Sequence, residues 1–186
     1  MRELALHLLD IAENSVAANA GTIGIEIDED LKADRLTLAV TDNGRGMDAA
    51  MVASVVDPFV TSRTTRKVGL GIPLLKEAAE LCNGYLKIDS TVGHGTRLEC
   101  EFQHSHIDRM PLGDVASTLL TLVVANPQVQ WRLNYRVNDA VFEFDSAPIV
   151  QELGDVPLTE PSILAFVRAM LHDGIADVRQ REALVV

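Results

Sequence analysis

The chain has 186 residues, 47% of them apolar and 23% charged, with a formal net charge of -11. That length supports one core, or one domain with a smaller appendage, and the composition is that of a soluble globular protein. Acidity on this scale disfavours nucleic acid and anionic membranes as partners. No apolar run reaches the roughly 18 residues of a membrane span, and the opening "MRELALHLLDIAENS" lacks the pattern of a secretory signal.

In chain order, the apolar spacing predicts a helix over 3–20, closed by Gly21. "TIGIEIDED" and "RLTLAVTD" alternate as strands, with "EDLKAD" as the turn between them. The glycine loop "DNGRGM" and a short helix, "DAAMVASVV", follow. After the loop "DPFVTSRTTRKVG", "IPLLKEAAELCNG" reads as a helix with Gly84 as its stop. "YLKIDST" and "TRLECEF" pair as a hairpin through "VGHG". The expected fold class is α+β: a two-layer sandwich of a mostly antiparallel sheet with helices on one face.

The pattern breaks at 103–111, so we read residues 1–104 as one domain and 105–186 as a small C-terminal α+β extension of unassigned role. In the extension, "LGDVASTLLTLVVAN" reads as a helix, and "VQWRLNYRV" and "AVFEFD" as a hairpin around Asn138-Asp139. A terminal helix begins after Pro161. Cys82 and Cys100 have neither metal nor redox spacing, which suits reduced structural thiols in the cytoplasm.

Four features carry chemistry. At about 100° per residue, His7, Asp10 and Asn14 share a helical stripe within roughly 60°, flanked by leucines on both sides. From the helix alone this is equally a pocket wall or an exposed face. In "DNGRGM", Asp42 ends a strand, and Gly44 and Gly46 allow a planar ligand near the backbone. A tight turn would use the same residues. "KVGLGIPLL" sets Gly69 and Gly71 at a helix start, where backbone N–H groups favour anionic oxygens. Beside it, "RTTRK" supplies Arg63, Arg66 and Lys67, a cluster sized for a few phosphates. Neither a P-loop nor the dinucleotide fingerprint is present.

The order of these features resembles the N, G1, F, G2 and G3 boxes of the GHKL superfamily of ATPases and kinases. The helix with Asn14 comes first. Asp42-x-Gly44-x-Gly46, Asp57-Pro58-Phe59, Gly69-x-Gly71 and Gly93-x-Gly95-Thr96 follow. The resemblance covers residues 3–103, and the short segment from Asp57 to Gly84 is most similar to the kinase branch. It implies the Bergerat α/β sandwich, with ATP and Mg²⁺ as ligands. Carried over by position, Asn14 would offer its side-chain oxygen to Mg²⁺ and Asp42 would bind the adenine amine. Gly44 and Gly46 would admit the base, with Met47 among the binding positions, and Thr96 would support a water near Asp42. Phe59 would hinge the lid. Gly69, Leu70 and Gly71 would contact phosphate through the backbone, with Arg63, Arg66 and Lys67 as lid cations.

Three positions depart from the resemblance. Asp10 stands where gyrase-like hydrolases carry Glu and histidine kinases usually Asn; it is a candidate general base or water orienter. Ala17 and Ala18 stand where histidine kinases often carry a cation. His7 reads as a structural histidine. No dimerising hairpin with a phosphoacceptor histidine is expected ahead of the first helix. The expected function is therefore a protein kinase module acting on a partner protein in trans. The alternatives are a slow ATPase or ATP-driven switch within an assembly, or a non-catalytic ATP sensor.

Overall fold

A computed structural model of the chain describes residues 3–57 and 71–183. Among these residues, six strands form a single sheet in the order β3-β4-β2-β1-β5-β6. The strands are β1 (Thr22–Asp30), β2 (Arg35–Asp42), β3 (Tyr85–Thr91), β4 (Gly95–Gln103), β5 (Gln130–Val137) and β6 (Ala140–Asp145). The helices are α1 (Leu4–Ala17), α2 (Ala49–Val55), α3 (Gly71–Leu81), α4 (Val115–Ala125), α5 (Ser146–Leu153) and α6 (Pro161–Ala183). The expected α+β sandwich is what forms.

Period-two patterning sets the faces. Ile23, Ile25 and Ile27 of β1, Leu36, Leu38 and Val40 of β2, and Leu98, Cys100 and Phe102 of β4 all point into one core. Each such aliphatic side chain contributes about 1.5–3 kcal/mol by leaving water. The alternate positions carry charge. Arg97 bridges Glu26 and Glu99, Arg136 pairs with Asp28, and Lys87 pairs with Asp89. This face stays in water, where each pair adds at most about 1 kcal/mol.

The core face is covered by α1, α3, α4 and α6; α1 touches both α3 and α4, and α4 touches α6. α1 buries Leu4, Leu8, Ile11, Ala12 and Ser15, which lie on one side at 3.6 residues per turn. Its first N–H groups lack a side-chain cap. The backbone carbonyls of Pro111 and Leu112 accept from Leu4 and Ala5 instead, at 3.0 and 2.8 Å.

The segment after β4 thus closes one end of α1 before the chain enters α4. β5 then joins the sheet as the parallel neighbour of β1, with Ile25 opposite Leu133. The other four pairings are antiparallel. The β5–β6 hairpin turns at Asn138, whose φ is 48°. No described helix is long and apolar enough to cross a membrane.

The helix ends differ from expectation in their chemistry. α1 stops at Ala17 rather than reaching Ala20, and Asn19 rather than Gly21 takes the left-handed conformation, at φ 59°. At the end of α3 the left-handed residue is Asn83, at φ 56°, and not Gly84. Asparagine tolerates this region because its short side chain can bond locally. Gly84 is needed for space, since a Cβ there would overlap the Glu101 carbonyl. Helix α5, which is absent from the expected elements, contains Pro148. The proline lies in the first turn, where its missing N–H has no helical partner to lose.

Candidate functional site

The site lies where α1, the β2–α2 loop, the β3–β4 hairpin and the start of α3 meet. Asp42 ends β2 and is 9% exposed. Its carboxylate is fixed at both oxygens: Ser15 Oγ donates to Oδ2 at 2.7 Å, and the Gly44 N–H donates to Oδ1 at 2.8 Å. A carboxylate offers about four lone-pair sites, so each oxygen can accept once more. Ser15 was missed in the sequence reading. The signal was available, because Ser15 falls on the buried side of α1 one turn beyond Ile11, where a hydroxyl needs a partner.

The loop after Asp42 is built around three close approaches. Asn43 Oδ1 accepts from Gly21 and Thr22 N–H at 2.8 and 2.9 Å, and Arg45 N–H donates to the Ala18 carbonyl at 3.0 Å. Gly46 has φ 66°, and a Cβ there would overlap the Thr91 carbonyl. Gly95 has φ 101°, and a Cβ there would overlap the Asp42 carbonyl. A side chain at Gly44 would crowd the Ala18 carbonyl at 2.8 Å. The glycines therefore let the loop, the hairpin and α1 touch backbone to backbone.

Thr96 stands beside Asp42 in the β2–β4 register, and Ser90 stands beside Thr96 in the β3–β4 register. Ser90 Oγ lies 2.9 Å from Thr96 Oγ1 and accepts from the Met47 N–H at 2.8 Å. Ser90, Thr96 and Asp42 make a polar row across three strands, with Met47 tied to its outer end.

The second half of the site is α1 against α3. His7 is 2% exposed, Asp10 is half-buried and Asn14 is exposed, so the stripe runs from core to opening. Glu13 points to solvent. Gly71, buried at the start of α3, sits so near Asp10 that a Cβ would overlap Oδ2. Two buried side-chain atoms have no hydrogen-bond partner among the described residues, His7 Nδ1 and Asp10 Oδ2. Burial lowers the pKa of His7 below its ordinary 6.5, against the Gly71 backbone and Asp10, which raise it. The imidazole is therefore neutral near pH 7.

Of the expected site residues, Asp10 meets Gly71 on the α1–α3 side, with Asn14 exposed one turn further along α1, and Asp42, Gly44, Gly46, Met47 and Thr96 lie on the sheet side. Phe59, Arg63, Arg66, Lys67, Gly69 and Leu70 lie outside the described residues.

A carboxylate held at the end of a strand, glycines at each close approach and the buried start of α3 against α1 are set in a two-layer α/β sandwich. The chain belongs to the family of histidine kinase-, DNA gyrase B- and HSP90-like ATPases, which residues 1–106 match. It therefore carries an ATP-binding domain of a family of kinases and ATPases.

Among related proteins, the sensor protein kinase FleS of Pseudomonas aeruginosa is 38% identical over 58 residues, covering 31% of this chain and 14% of that protein. The sensor histidine kinase YxdK of Bacillus subtilis is 30% identical over 97 residues, covering 50% of this chain and 30% of that protein. The chain spans less than a third of the length of either relative. A crystal structure of the N-terminal domain of a DNA repair protein has a similar fold, with a TM-score of 0.50 and 13% identity over 78% of this chain and 52% of that one.

Proposed function

We propose that the pocket holds ATP together with Mg²⁺ and that the domain passes the γ-phosphoryl group to an acceptor on a partner protein. The observation that carries the nucleotide reading is Asp42, a buried carboxylate fixed at both oxygens with acceptor capacity left over. Such a group suits an exocyclic amine. Gly44, Gly46 and Met47 would flank the base, and Thr96 would stand behind it.

Asn14 is the residue to hold Mg²⁺, through its side-chain oxygen, a hard donor of the kind this ion prefers. The buried, unpartnered Oδ2 of Asp10, one turn earlier on the same stripe, fits a hydrated cation or an attacking water nearby. When bound, Mg²⁺ supplies charge neutralisation on the phosphates. By the resemblance, Gly69, Leu70 and Gly71 would add backbone N–H groups at the phosphates, and Arg63, Arg66 and Lys67 would add positive charge, with Phe59 among the binding positions.

The kinase part rests on the relatives being sensor kinases and on the short segment between α2 and α3. Its test is incubation with γ-labelled ATP and candidate partners from the same cell. Transfer to a protein is expected. Steady phosphate release with no labelled protein counts against a kinase.

A second reading, a slow ATPase or ATP-driven switch, is favoured by Asp10. A buried carboxylate oxygen without a partner can take a proton from water. Asp10→Asn should then abolish hydrolysis while ATP still binds. In either case α4 of the extension touches α1 directly, which gives a partner docked on residues 105–186 a route to the site. Cytoplasmic residence belongs to the same reading.

A further inference from the structure

We propose that Ser90 is a positioning residue that uses up the hydroxyl proton of Thr96 and so makes the Asp42–Thr96 wall accept hydrogen bonds only, selecting a 6-amino purine over a 6-oxo one. The inference rests on the nucleotide reading above.

Ser90 Oγ has three neighbours: the Met47 N–H at 2.8 Å, the Gly95 carbonyl at 3.1 Å and Thr96 Oγ1 at 2.9 Å. The Met47 amide can only donate and the Gly95 carbonyl can only accept. A serine hydroxyl has one proton and two lone pairs. Its proton therefore goes to Gly95, and one lone pair takes the Met47 amide. The remaining contact is satisfied only if the Thr96 hydroxyl donates to Ser90. Were Ser90 to donate to Thr96 instead, its contact with the Gly95 carbonyl would hold no proton.

Thr96 then has lone pairs but no proton to offer. Its neighbour in the sheet, Asp42, is a carboxylate whose two oxygens already receive from Ser15 and Gly44. The two residues present acceptors side by side. An amino group, or a water that it orients, finds partners on both. A carbonyl oxygen faces only lone pairs, and leaving it unpaired in a partly buried site is costly. Ser90 also ties Met47, but Thr96 carries the selectivity.

The experiment is calorimetric titration of the unaltered chain with ATP and with ITP, which has a carbonyl oxygen where ATP has the amine and a proton on N1, at equal Mg²⁺. Because N1 also differs, the change in the ratio of the two affinities between variants is read rather than the ratio itself. A general loosening of the pocket moves both affinities together and leaves their ratio unchanged. Ser90→Ala frees the Thr96 proton to turn toward the base, and should shrink the ATP:ITP ratio by about three- to tenfold, the worth of one hydrogen bond. Ser90→Thr keeps the hydroxyl and should restore the ratio. In a Thr96→Val background, Ser90→Ala should leave the ratio unchanged.

A Ser90→Ala ratio within twofold of the unaltered chain overturns the proposal, as does an equal effect in the Thr96→Val background. If the unaltered chain fails to bind ATP, the nucleotide reading falls and takes this inference with it. Binding of ATP with an unmoved ratio sinks the inference alone.

Discussion

Ser15 Oγ donates to Asp42 Oδ2 at 2.7 Å, joining the buried side of α1 to the end of β2 through 26 intervening residues of chain. The same helix thus supports the end of β2 through Ser15 and approaches the start of α3 through Asp10. Ser15→Ala leaves one oxygen of a buried carboxylate without its donor. A hydrogen bond to a charged group contributes about 1.5–3 kcal/mol, so urea denaturation should show a loss in that range. ATP affinity should fall as well, because the carboxylate is free to turn.

Gly46 and Gly93 both have positive φ, at 66° and 80°, but only one is crowded. A Cβ at Gly46 would overlap the Thr91 carbonyl, while nothing lies within 4 Å of one at Gly93. Gly93→Ala should cost only the left-handed penalty, about 1–2 kcal/mol. Gly46→Ala must also move backbone, and should cost more, about 3 kcal/mol in total. Equal costs from parallel denaturation curves would show that the loop is not held against the hairpin as described.

Gly71→Ala separates function from stability. The added methyl would displace the end of the Asp10 side chain, which can swing away, rather than fixed backbone. Stability should change by less than about 1 kcal/mol, since alanine also favours the helix. Turnover of ATP should drop to the level of Asp10→Asn. Turnover equal to that of the unaltered chain would mean that the position of Asp10 against α3 is unimportant.

Glu29 predicts an acid dependence. It accepts from Tyr135 Oη, lies 3.1 Å from His104 Nε2 and 3.4 Å from Arg179 Nη2, and so links β1 to β5, α6 and the segment after β4. Burial opposes its ionisation, but the hydrogen bonds from Tyr135 and His104 and the charge of Arg179 outweigh it, holding its pKa below the ordinary 4.5. A depressed carboxyl pKa stabilises the fold above the unfolded value and loses that contribution as pH falls through the folded one. Glu29→Gln should therefore be less stable than the unaltered chain at pH 7, and the two melting curves should converge below pH 4.5. A constant gap across that window contradicts the assignment.

Much of the fold was legible because the alternating isoleucines of β1 and the leucines of β2 admit one strand reading and one inward face. The glycine boxes were legible for a related reason: Gly46 and Gly95 occupy positions where no other residue fits. Less legible were features that depend on distant chain. Nothing local to Ser15 names Asp42 as its partner, and nothing in Pro111 or Leu112 says that their carbonyls cap α1. The place of β5 beside β1 was equally hidden, since a parallel neighbour is chosen by the crossover through α4 rather than by a turn. Asn19 and Asn83 replaced the expected glycines because either residue can take a left-handed helix end, and local sequence does not decide between them.

Asp42 is the proposed anchor of the ATP site. Calorimetric titration with Mg²⁺-ATP, comparing the unaltered chain with Asp42→Asn, tests that role most directly. Asparagine keeps the size of the side chain but replaces one acceptor oxygen with a donor, which then faces either the Ser15 hydroxyl or the Gly44 N–H. The unaltered chain should bind ATP, and Asp42→Asn should lose at least about tenfold in affinity while still melting cooperatively. Equal ATP affinity in the two proteins would contradict that role.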